Sequence, residues 1–301
     1  MREPNFYAGL ALDRRAEIRR DQAWLERRVR EPTTRMVPVW QAKNFVVREP
    51  APAAVFLTPG AIEFSLETTV FLGEAGETAY FALDVSHLGE DALAQWIDGR
   101  GAFVDLRSVG PVLDRQEGAL LAYARGLVHW HERHRFCGVC GAPTRSEAAG
   151  HVRVCTNASC GAQHFPRTDP AVIMLVTLAD RCFLARQRIW LPGMRSTLAG
   201  FVEPGESLEE AVAREVWEEA GLRLNEIRYH SSQPWPFPSS IMLGFIATAA
   251  SPDYRIDSNE IEDGGWFTRD FLRRAHDPDT FRLPRADSIA RRLIEDWMAQ
   301  G

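Results

Sequence analysis

Short hydrophobic runs separated by turn-forming residues fill the first third of the chain. Pro and Gly separate these runs, as at Pro50, Pro52 and Gly60. The runs are rich in β-branched and aromatic residues and read MVPVW, NFVVRE, AAVFLT, TTVFLG and YFALDV. Residues 106–134 then place Leu and Ala at helical spacing. The pattern predicts a β-rich N-terminal domain over residues 1–134 that ends in a helix. It holds no catalytic constellation, which favours a scaffold or dimerisation role.

The C-terminal part alternates strand and helix patterns. Residues 171–178 and 182–185 are typical of two strands joined by a turn at Asp180-Arg181. Residues 241–249 predict another strand, and Gly265-Trp266-Phe267 begins a short further element. Apolar residues at helical spacing then predict a terminal helix with a core-facing stripe, namely Ile289, Leu293, Ile294 and Trp297. Strands before and after a helix predict an α+β fold with a mixed sheet covered by helices over residues 169–301.

Residues 200–222, GFVEPGESLEEAVAREVWEEAGL, carry both ends of a helix in their sequence. Ser207 is a favourable N-cap, and Glu210 three residues later completes a capping box. Gly221 suits the left-handed position that follows a helix. We therefore predict a helix at 208–220.

This helix carries closely spaced carboxylates. At about 100° per residue, Glu215, Glu218 and Glu219 fall within an arc of roughly 100°, and Glu206 lies in the preceding loop. The carboxylates repel one another, and Arg214 alone cannot neutralise them. A solvated acidic face would normally interleave Lys, which this helix lacks. Because Mg²⁺ binds oxygen ligands and shares them with substrate phosphates, the pattern predicts a divalent-cation site.

Composition narrows the class of protein. The net charge of −6, from 35 Lys+Arg and 41 Asp+Glu, argues against a broad basic surface for long nucleic acid, although a short local contact is not excluded. The N-terminus lacks the apolar stretch of a secretion signal. The longest apolar run, residues 171–179, is far short of a membrane span. We therefore expect a cytoplasmic protein.

Four cysteines form two pairs separated by 14 residues. Cys137 and Cys140 lie in CGVC, and Cys155 and Cys160 lie in CTNASC, where four residues rather than two separate the thiols. Thiolates clustered in this way satisfy tetrahedral Zn²⁺. Disulfides would need an oxidising compartment, and a redox CxxC would not need the second pair. The pattern predicts a zinc ribbon at residues 135–168 with one structural Zn²⁺ per protomer.

Two further features have plainer interpretations. His129, His131 and His134 cluster before the ribbon, and we interpret them as helix-surface residues rather than metal ligands. Cys182 lies in the apolar run RCFLAR and is predicted to be a small core residue.

The segment SQPWPFPSS, residues 232–240, presents aromatic rings on a stiff backbone. Its prolines fix φ, so Trp235 and Phe237 have little freedom to lose. Flat rings held in this way suit stacking on a nucleobase or a nicotinamide. Taken alone, such a loop is more often hydrophobic packing.

Residues 200–222 resemble the Nudix hydrolase signature at every specified position: Gly, five residues, Glu, seven residues, Arg-Glu, an aliphatic, any residue, Glu-Glu, any residue, Gly and an aliphatic. The resemblance implies an α/β/α sandwich that cleaves a nucleoside diphosphate from another group with Mg²⁺ or Mn²⁺. The four-Cys ribbon, the linker FPRTDPAVI and SQPWPFPSS together resemble the NAD(H) pyrophosphatase branch of that superfamily. Some members of this branch remove NAD caps from RNA. The branch also implies a homodimer.

The resemblance implies roles for particular residues. The catalytic metal ligands would be Glu215, Glu218, Glu219, Glu260 and the main-chain carbonyl of Ala199. Arg214 would orient a carboxylate, and Glu218 and Glu219 are both candidates for the general base. The implied substrate contacts are Arg107, Phe165, Gln233, Trp235, Phe237, Ser239 and Ala290, the last through its backbone.

Two positions depart from the branch. Phe165 stands where relatives often have Tyr. Gly150 stands where some relatives place a Glu, with Glu147 three residues away, which puts a cap contact by the ribbon in doubt.

The predicted activity is hydrolysis of the pyrophosphate of NADH or NAD⁺ to nicotinamide mononucleotide and AMP. Decapping of NAD-capped RNA at the same site is an alternative. A non-catalytic zinc-ribbon binding module is a third hypothesis, which the intact carboxylate set disfavours.

Overall fold

A computed structural model describes residues 3–61, 64–97, 99–274 and 280–300. The chain forms two compact units. We call Tyr7–Thr168 with Trp235–Ser239 the N-terminal unit. We call Met1–Phe6, Asp169–Pro234 and Ser240–Gly301 the C-terminal unit. The sequence-based division at residues 134 and 168 stays a prediction. In the described part of the chain, no helix combines the length and the apolar character needed to cross a membrane.

The N-terminal unit is built on a sheet, as its hydrophobic runs predict. Its first elements are α1 (Gln22–Arg28), β1 (Arg35–Trp40), β2 (Lys43–Val47), β3 (Ala53–Ala54), β4 (Thr69–Ala75), β5 (Thr78–Asp84), α2 (Glu90–Ile97) and β6 (Ala102–Val104). The strand order is β3-β2-β1-β5-β4, with β6 paired to β2 and β1 parallel to β5. Met36, Phe45, Phe71 and Phe81 form one core with Leu25 of α1.

The predicted helical segment at 106–134 is two helices rather than one. They are α3 (Leu106–Val109) and α4 (Arg115–Arg133). Asp114 explains the break, because its carboxylate accepts hydrogen bonds from the main-chain N–H groups of Gln116 and Glu117 and caps α4. After α4, a three-stranded sheet of β7 (Thr144–Glu147), β8 (Val152–Cys155) and β9 (Gln163–His164) carries the cysteine ribbon.

The C-terminal unit contains the predicted mixed sheet. Its elements are β10 (Asp169–Leu178), β11 (Arg181–Arg186), β12 (Leu198–Phe201), α5 (Leu208–Ala220), β13 (Leu224–Trp235), β14 (Ser240–Ala249), β15 (Asp263–Thr268), α6 (Arg269–Arg274) and α7 (Ile289–Ala299). The order is β13-β14-β10-β11-β15, with β12 paired to β10. Strands β10 and β14 are parallel, whereas β10 and β11 are antiparallel. The hairpin turn is Ala179-Asp180, one residue earlier than predicted, because Leu178 pairs with Arg181.

Alternation along β10 confirms the three-layer arrangement. Val172, Met174 and Val176 face a core shared with the apolar stripe of α5. Ile173 and Leu175 face the opposite core, which contains the predicted stripe of α7. Successive strand side chains point to opposite faces, so both faces of the sheet are covered by helices. Cys182 is fully buried in the second core, as predicted.

Candidate active site

Helix α5 begins and ends where its sequence predicts. The Ser207 hydroxyl accepts a hydrogen bond from the Glu210 main-chain N–H at 3.3 Å, and the Glu210 carboxylate accepts one from the Ser207 N–H at 2.7 Å. Gly221 adopts φ 64°, the left-handed conformation that a residue with a Cβ seldom takes. The buried stripe of Ala211, Val212, Val216 and Ala220 fixes the rotation of the helix. The carboxylates therefore emerge along one edge of the sandwich.

Arg214 joins three of these carboxylates. Its guanidinium donates to Glu206 at 2.6 and 3.0 Å, to Glu215 at 2.9 Å and to Glu218 at 3.0 Å. It also donates to the main-chain carbonyl of Phe201 at 2.9 Å. The hydrogen bonds that Arg214 donates to Glu206 are the largest cause of its raised pKa. One fixed cation therefore holds the acidic side chains in place, which supports the predicted orienting role.

Glu219 is the buried member of the cluster, with 3% of its surface exposed. Burial raises the pKa of its carboxyl to about 8, and the charges of Glu215 and Glu260 add to the effect. A hydrogen bond from the main chain of Ala199 acts in the opposite direction. Within the described residues, Oε2 of Glu219 has no hydrogen-bond partner. A buried carboxylate oxygen without a partner is costly, so this atom needs a cation or a proton.

Gly200 lets the backbone approach Glu215 closely. It lies on β12, a four-residue strand that the sequence analysis missed, and pairs with Val172 of β10. A Cβ at position 200 would lie 1.9 Å from the carboxyl carbon of Glu215. The Glu215 carboxylate therefore occupies the space that a side chain at position 200 would need.

Glu260 reaches the same cluster from a distant loop. The main-chain N–H of Asp257 donates to the Glu219 carbonyl at 3.1 Å, and that of Arg255 donates to the Ala220 carbonyl at 2.8 Å. These bonds tie the loop to the end of α5. Glu260 then raises the pKa of both Glu215 and Glu219 through its charge. The candidate ligands are all oxygens, which is the ligand type that a hard divalent cation takes, and Oε2 of Glu219 has no hydrogen-bond partner among the described residues.

The four ribbon cysteines also converge. Their sulfur atoms all lie within 4.8 Å of one another. Cys137 Sγ is 3.9 Å from Cys160 Sγ, and Cys140 Sγ is 3.4 Å from Cys155 Sγ. Four thiolates about 2.3 Å from a tetrahedral zinc would be roughly 3.8 Å apart. The cysteines form no disulfide, and their spacing fits Zn²⁺.

The neighbouring histidines have structural partners. His131 is buried rather than on the helix surface, which corrects the prediction. Its Nε2 lies 2.7 Å from the Gly150 carbonyl, and Arg153 lies 3.0 Å from its Nδ1. Burial lowers the pKa of His131 to about 4. His134 Nδ1 lies 2.8 Å from the Trp130 carbonyl.

In the N-terminal unit, Trp235 and Phe237 form an aromatic group with Tyr7, which the sequence analysis did not single out. The rings of Trp235 and Phe237 meet edge to face at 5.0 Å. Tyr7 contacts both, with ring centres 6.3 and 5.8 Å away. The guanidinium of Arg107 lies 5.5 Å from the Phe237 ring and is paired with Asp105 at 2.8 Å. Three of the predicted substrate contacts therefore lie together.

The remaining predicted contacts are distributed differently. The Gln233 side chain is fully buried and donates to the carbonyls of Asp287 at 2.7 Å and Phe6 at 3.1 Å. It also accepts from the Ile289 N–H at 2.7 Å, so its amide holds the start of α7, where Ala290 is buried. Phe165 is 55% exposed and Ser239 is half-buried, both in the N-terminal unit.

Three family descriptions match the chain in succession. Residues 33–130 match the NADH pyrophosphatase-like rudimentary NUDIX domain. Residues 132–165 match the NADH pyrophosphatase zinc ribbon domain, and residues 167–290 match the NUDIX domain.

Three curated proteins illustrate the similarity. NAD-capped RNA hydrolase NUDT12 of Homo sapiens is 38% identical over 237 residues, 75% of this chain and 51% of that protein. Nudix hydrolase 19, chloroplastic, of Arabidopsis thaliana is 40% identical over 241 residues, 75% of this chain and 54% of that protein. NAD-capped RNA hydrolase NudC of Mycobacterium tuberculosis is 46% identical over 207 residues, 65% of each chain. The chain thus spans about half to just under two thirds of these relatives.

Proposed function

The chain belongs to the Nudix family, and we propose that it hydrolyses the pyrophosphate bond of NADH or NAD⁺ to nicotinamide mononucleotide and AMP. The observation that carries the proposal is the carboxylate cluster around Arg214, with the buried and unpartnered oxygen of Glu219. If this were only an acidic surface, the carboxylates would all be hydrated. The Glu219 carboxylate is instead buried away from water.

In this proposal, Mg²⁺ or Mn²⁺ would be held by Glu215, Glu218, Glu219, Glu260 and the Ala199 carbonyl. Such cations, when bound, neutralise the charge of the diphosphate and lower the pKa of an attacking water. Water attacks one phosphorus and gives a proton to a carboxylate of the site, and the bridging P–O bond breaks so that the second nucleotide leaves with the bridging oxygen. Arg214 fixes Glu215 and Glu218, so that little reorganisation is needed as charge develops. Glu218 is 55% exposed at its side chain and Glu219 is buried, and both stay candidates for the base.

The choice of a dinucleotide rests on the Trp235–Ser239 segment, which we call the aromatic loop. The rings of Trp235 and Phe237 are held by each other and by Tyr7. Rings fixed in this way stack on a base at little entropic cost. We further propose one structural Zn²⁺ on the four cysteines. A homodimer and a cytoplasmic location remain predictions.

Decapping of NAD-capped RNA is the second candidate, since NUDT12 and NudC relatives carry that name. The cap presents the same pyrophosphate, so one carboxylate cluster serves both reactions. Because the net charge is −6, we propose that the protein would recognise the NAD cap itself rather than bind a long stretch of the RNA backbone.

Purified protein incubated with NADH, ADP-ribose and NAD-capped RNA tests these proposals. We expect AMP and reduced nicotinamide mononucleotide from NADH with Mg²⁺ or Mn²⁺, and neither product with chelator. Glu219→Gln is the matched control, because it alters one oxygen of the site. Turnover of capped RNA alone would favour the second candidate. No turnover of any substrate with either cation would contradict both and favour a binding module.

A further inference from the structure

Arg125, on helix α4, is a buried arginine in contact with the aromatic loop. Only 6% of its surface is exposed. Its Nε donates a buried hydrogen bond of 2.8 Å to the main-chain carbonyl of Pro236. Its guanidinium carbon also lies 5.0 Å from the centre of the Phe237 ring. One side chain therefore contacts both the backbone and a ring of the loop.

This cation is poorly compensated. Its Nη1 is buried and has no hydrogen-bond partner among the described residues. The nearby Asp105 pairs instead with Arg107 at 2.8 Å. Burying a charge without a close ion pair is expensive, and an apolar side chain of similar volume would usually cost less. The buried arginine at position 125 therefore lowers the stability of the fold. This indicates that Arg125 has a function that an apolar side chain could not perform.

The two guanidiniums near Phe237 are not equivalent. Arg107 is paired with Asp105, but 58% of its side chain is exposed, so its guanidinium is accessible to a ligand. Arg125 is enclosed and bonded to the loop, so it acts through the loop. Helix α4 also lies close to the aromatic loop at the next residue, Gly126, where an added Cβ would be 4.0 Å from the Pro236 side chain.

We propose that Arg125 is a positioning residue, which fixes the aromatic loop so that Trp235 and Phe237 present their rings to the substrate. The hydrogen bond to Pro236 sets the loop backbone midway between the two rings. The cation–π contact sets the ring of Phe237. The substrate part of this inference rests on the proposed NAD(H) pyrophosphatase function, whereas the anchoring of the loop does not.

Arg125→Met tests the inference, because methionine keeps an unbranched apolar stem and removes the donor. Hydrogen exchange of the peptide that covers residues 235–239 should become about 10-fold faster, since one hydrogen bond from a charged group is lost. The kcat/KM for NADH should fall about 10-fold, mainly through KM, and the NADH to ADP-ribose ratio should fall with it. Arg125→Lys, which retains a charged donor, should restore part of both quantities.

Arg133→Met is the control, because Arg133 lies on the same helix and is exposed. It should change neither quantity. Unchanged exchange in Arg125→Met would overturn the anchoring. Faster exchange with an unchanged substrate ratio would overturn the positioning of substrate. If Arg125→Met does not fold, the same two readouts in Arg125→Lys decide. If the wild type does not hydrolyse NADH, the proposed function fails, and exchange alone decides whether Arg125 holds the loop.

Discussion

The carboxylate of Glu215 occupies the place that a side chain of Gly200 would fill, 1.9 Å from an ideal Cβ. The first glycine of the signature and its second glutamate thus depend on each other sterically, although they are 15 positions apart in the sequence. Strand β12 and helix α5 can approach this closely only because position 200 has no Cβ.

Gly200→Ala should therefore damage the site directly. The added methyl would displace the Glu215 carboxylate, and overpacking of this kind costs roughly 1–3 kcal/mol. We expect turnover of NADH to fall at least about 10²-fold, with a lowered melting temperature. Gly89→Ala, where a Cβ would meet nothing within 4 Å, is the control. Wild-type turnover in Gly200→Ala would show that Glu215 does not need this position.

Glu219→Gln should separate catalysis from folding. The amide keeps the shape of the buried side chain and removes its charge, so turnover should fall by a factor of about 10² or more. Circular dichroism and the melting temperature should stay close to those of the wild type. Glu209→Gln, at an exposed position in the first turn of α5, should change neither turnover nor the melting temperature. Full activity at limiting Mg²⁺ would remove Glu219 from the metal ligands.

Cys155→Ser should abolish zinc binding. Metal analysis of the wild type should give about one Zn²⁺ per protomer. The variant should lose it and melt at a lower temperature, because the free energy of metal binding is also free energy of folding. Cys182→Ala, in the core of the C-terminal unit, should keep the zinc. A wild type without zinc would contradict the assignment.

Trp235→Ala should alter substrate choice. Loss of stacking worth about 1–3 kcal/mol predicts a 5- to 150-fold drop in kcat/KM for NADH. The dependence on Mg²⁺ should hardly change, since no carboxylate is touched. The ratio of kcat/KM for NADH to that for ADP-ribose is the deciding measurement. An unchanged ratio with a lowered melting temperature would reduce the role of this ring to packing.

The buried His131 and the half-buried His151 predict that the stability of the protein is sensitive to acid. Burial lowers the pKa of His131 and of His151 to about 4. An unfolded chain takes up these protons near pH 6.5, whereas the folded chain does not until about pH 4. Their contribution to stability is therefore complete above about pH 6.5 and declines as the pH falls towards 4. Melting temperatures across this range should show a shallower decline for His151→Gln than for the wild type or for His87→Gln, an exposed control.

The sequence predicts best where neighbours along the chain decide the structure. Ser207, Glu210 and Gly221 specify helix α5 without help from the rest of the fold. Strand β13 was missed because its exposed positions carry charges without regular alternation, and its pairing with β14 is what makes it a strand. Arg125 was missed for a different reason. In a helical pattern an arginine is read as a surface residue, and only its distant partner Pro236 shows that it is buried.

Because of Arg214, the acidic side chains of the site can be arranged before a catalytic cation binds. Because a built-in positive charge already sits among Glu206, Glu215 and Glu218, the acidic edge does not depend on an external ion to hold its shape. Chelating the catalytic cation should therefore stop the reaction reversibly and leave a structure ready to be reloaded. The four ribbon cysteines, by contrast, are proposed to hold Zn²⁺, whose binding free energy is also free energy of folding. The same chelator should act on one half of the protein as an inhibitor and on the other as a denaturant.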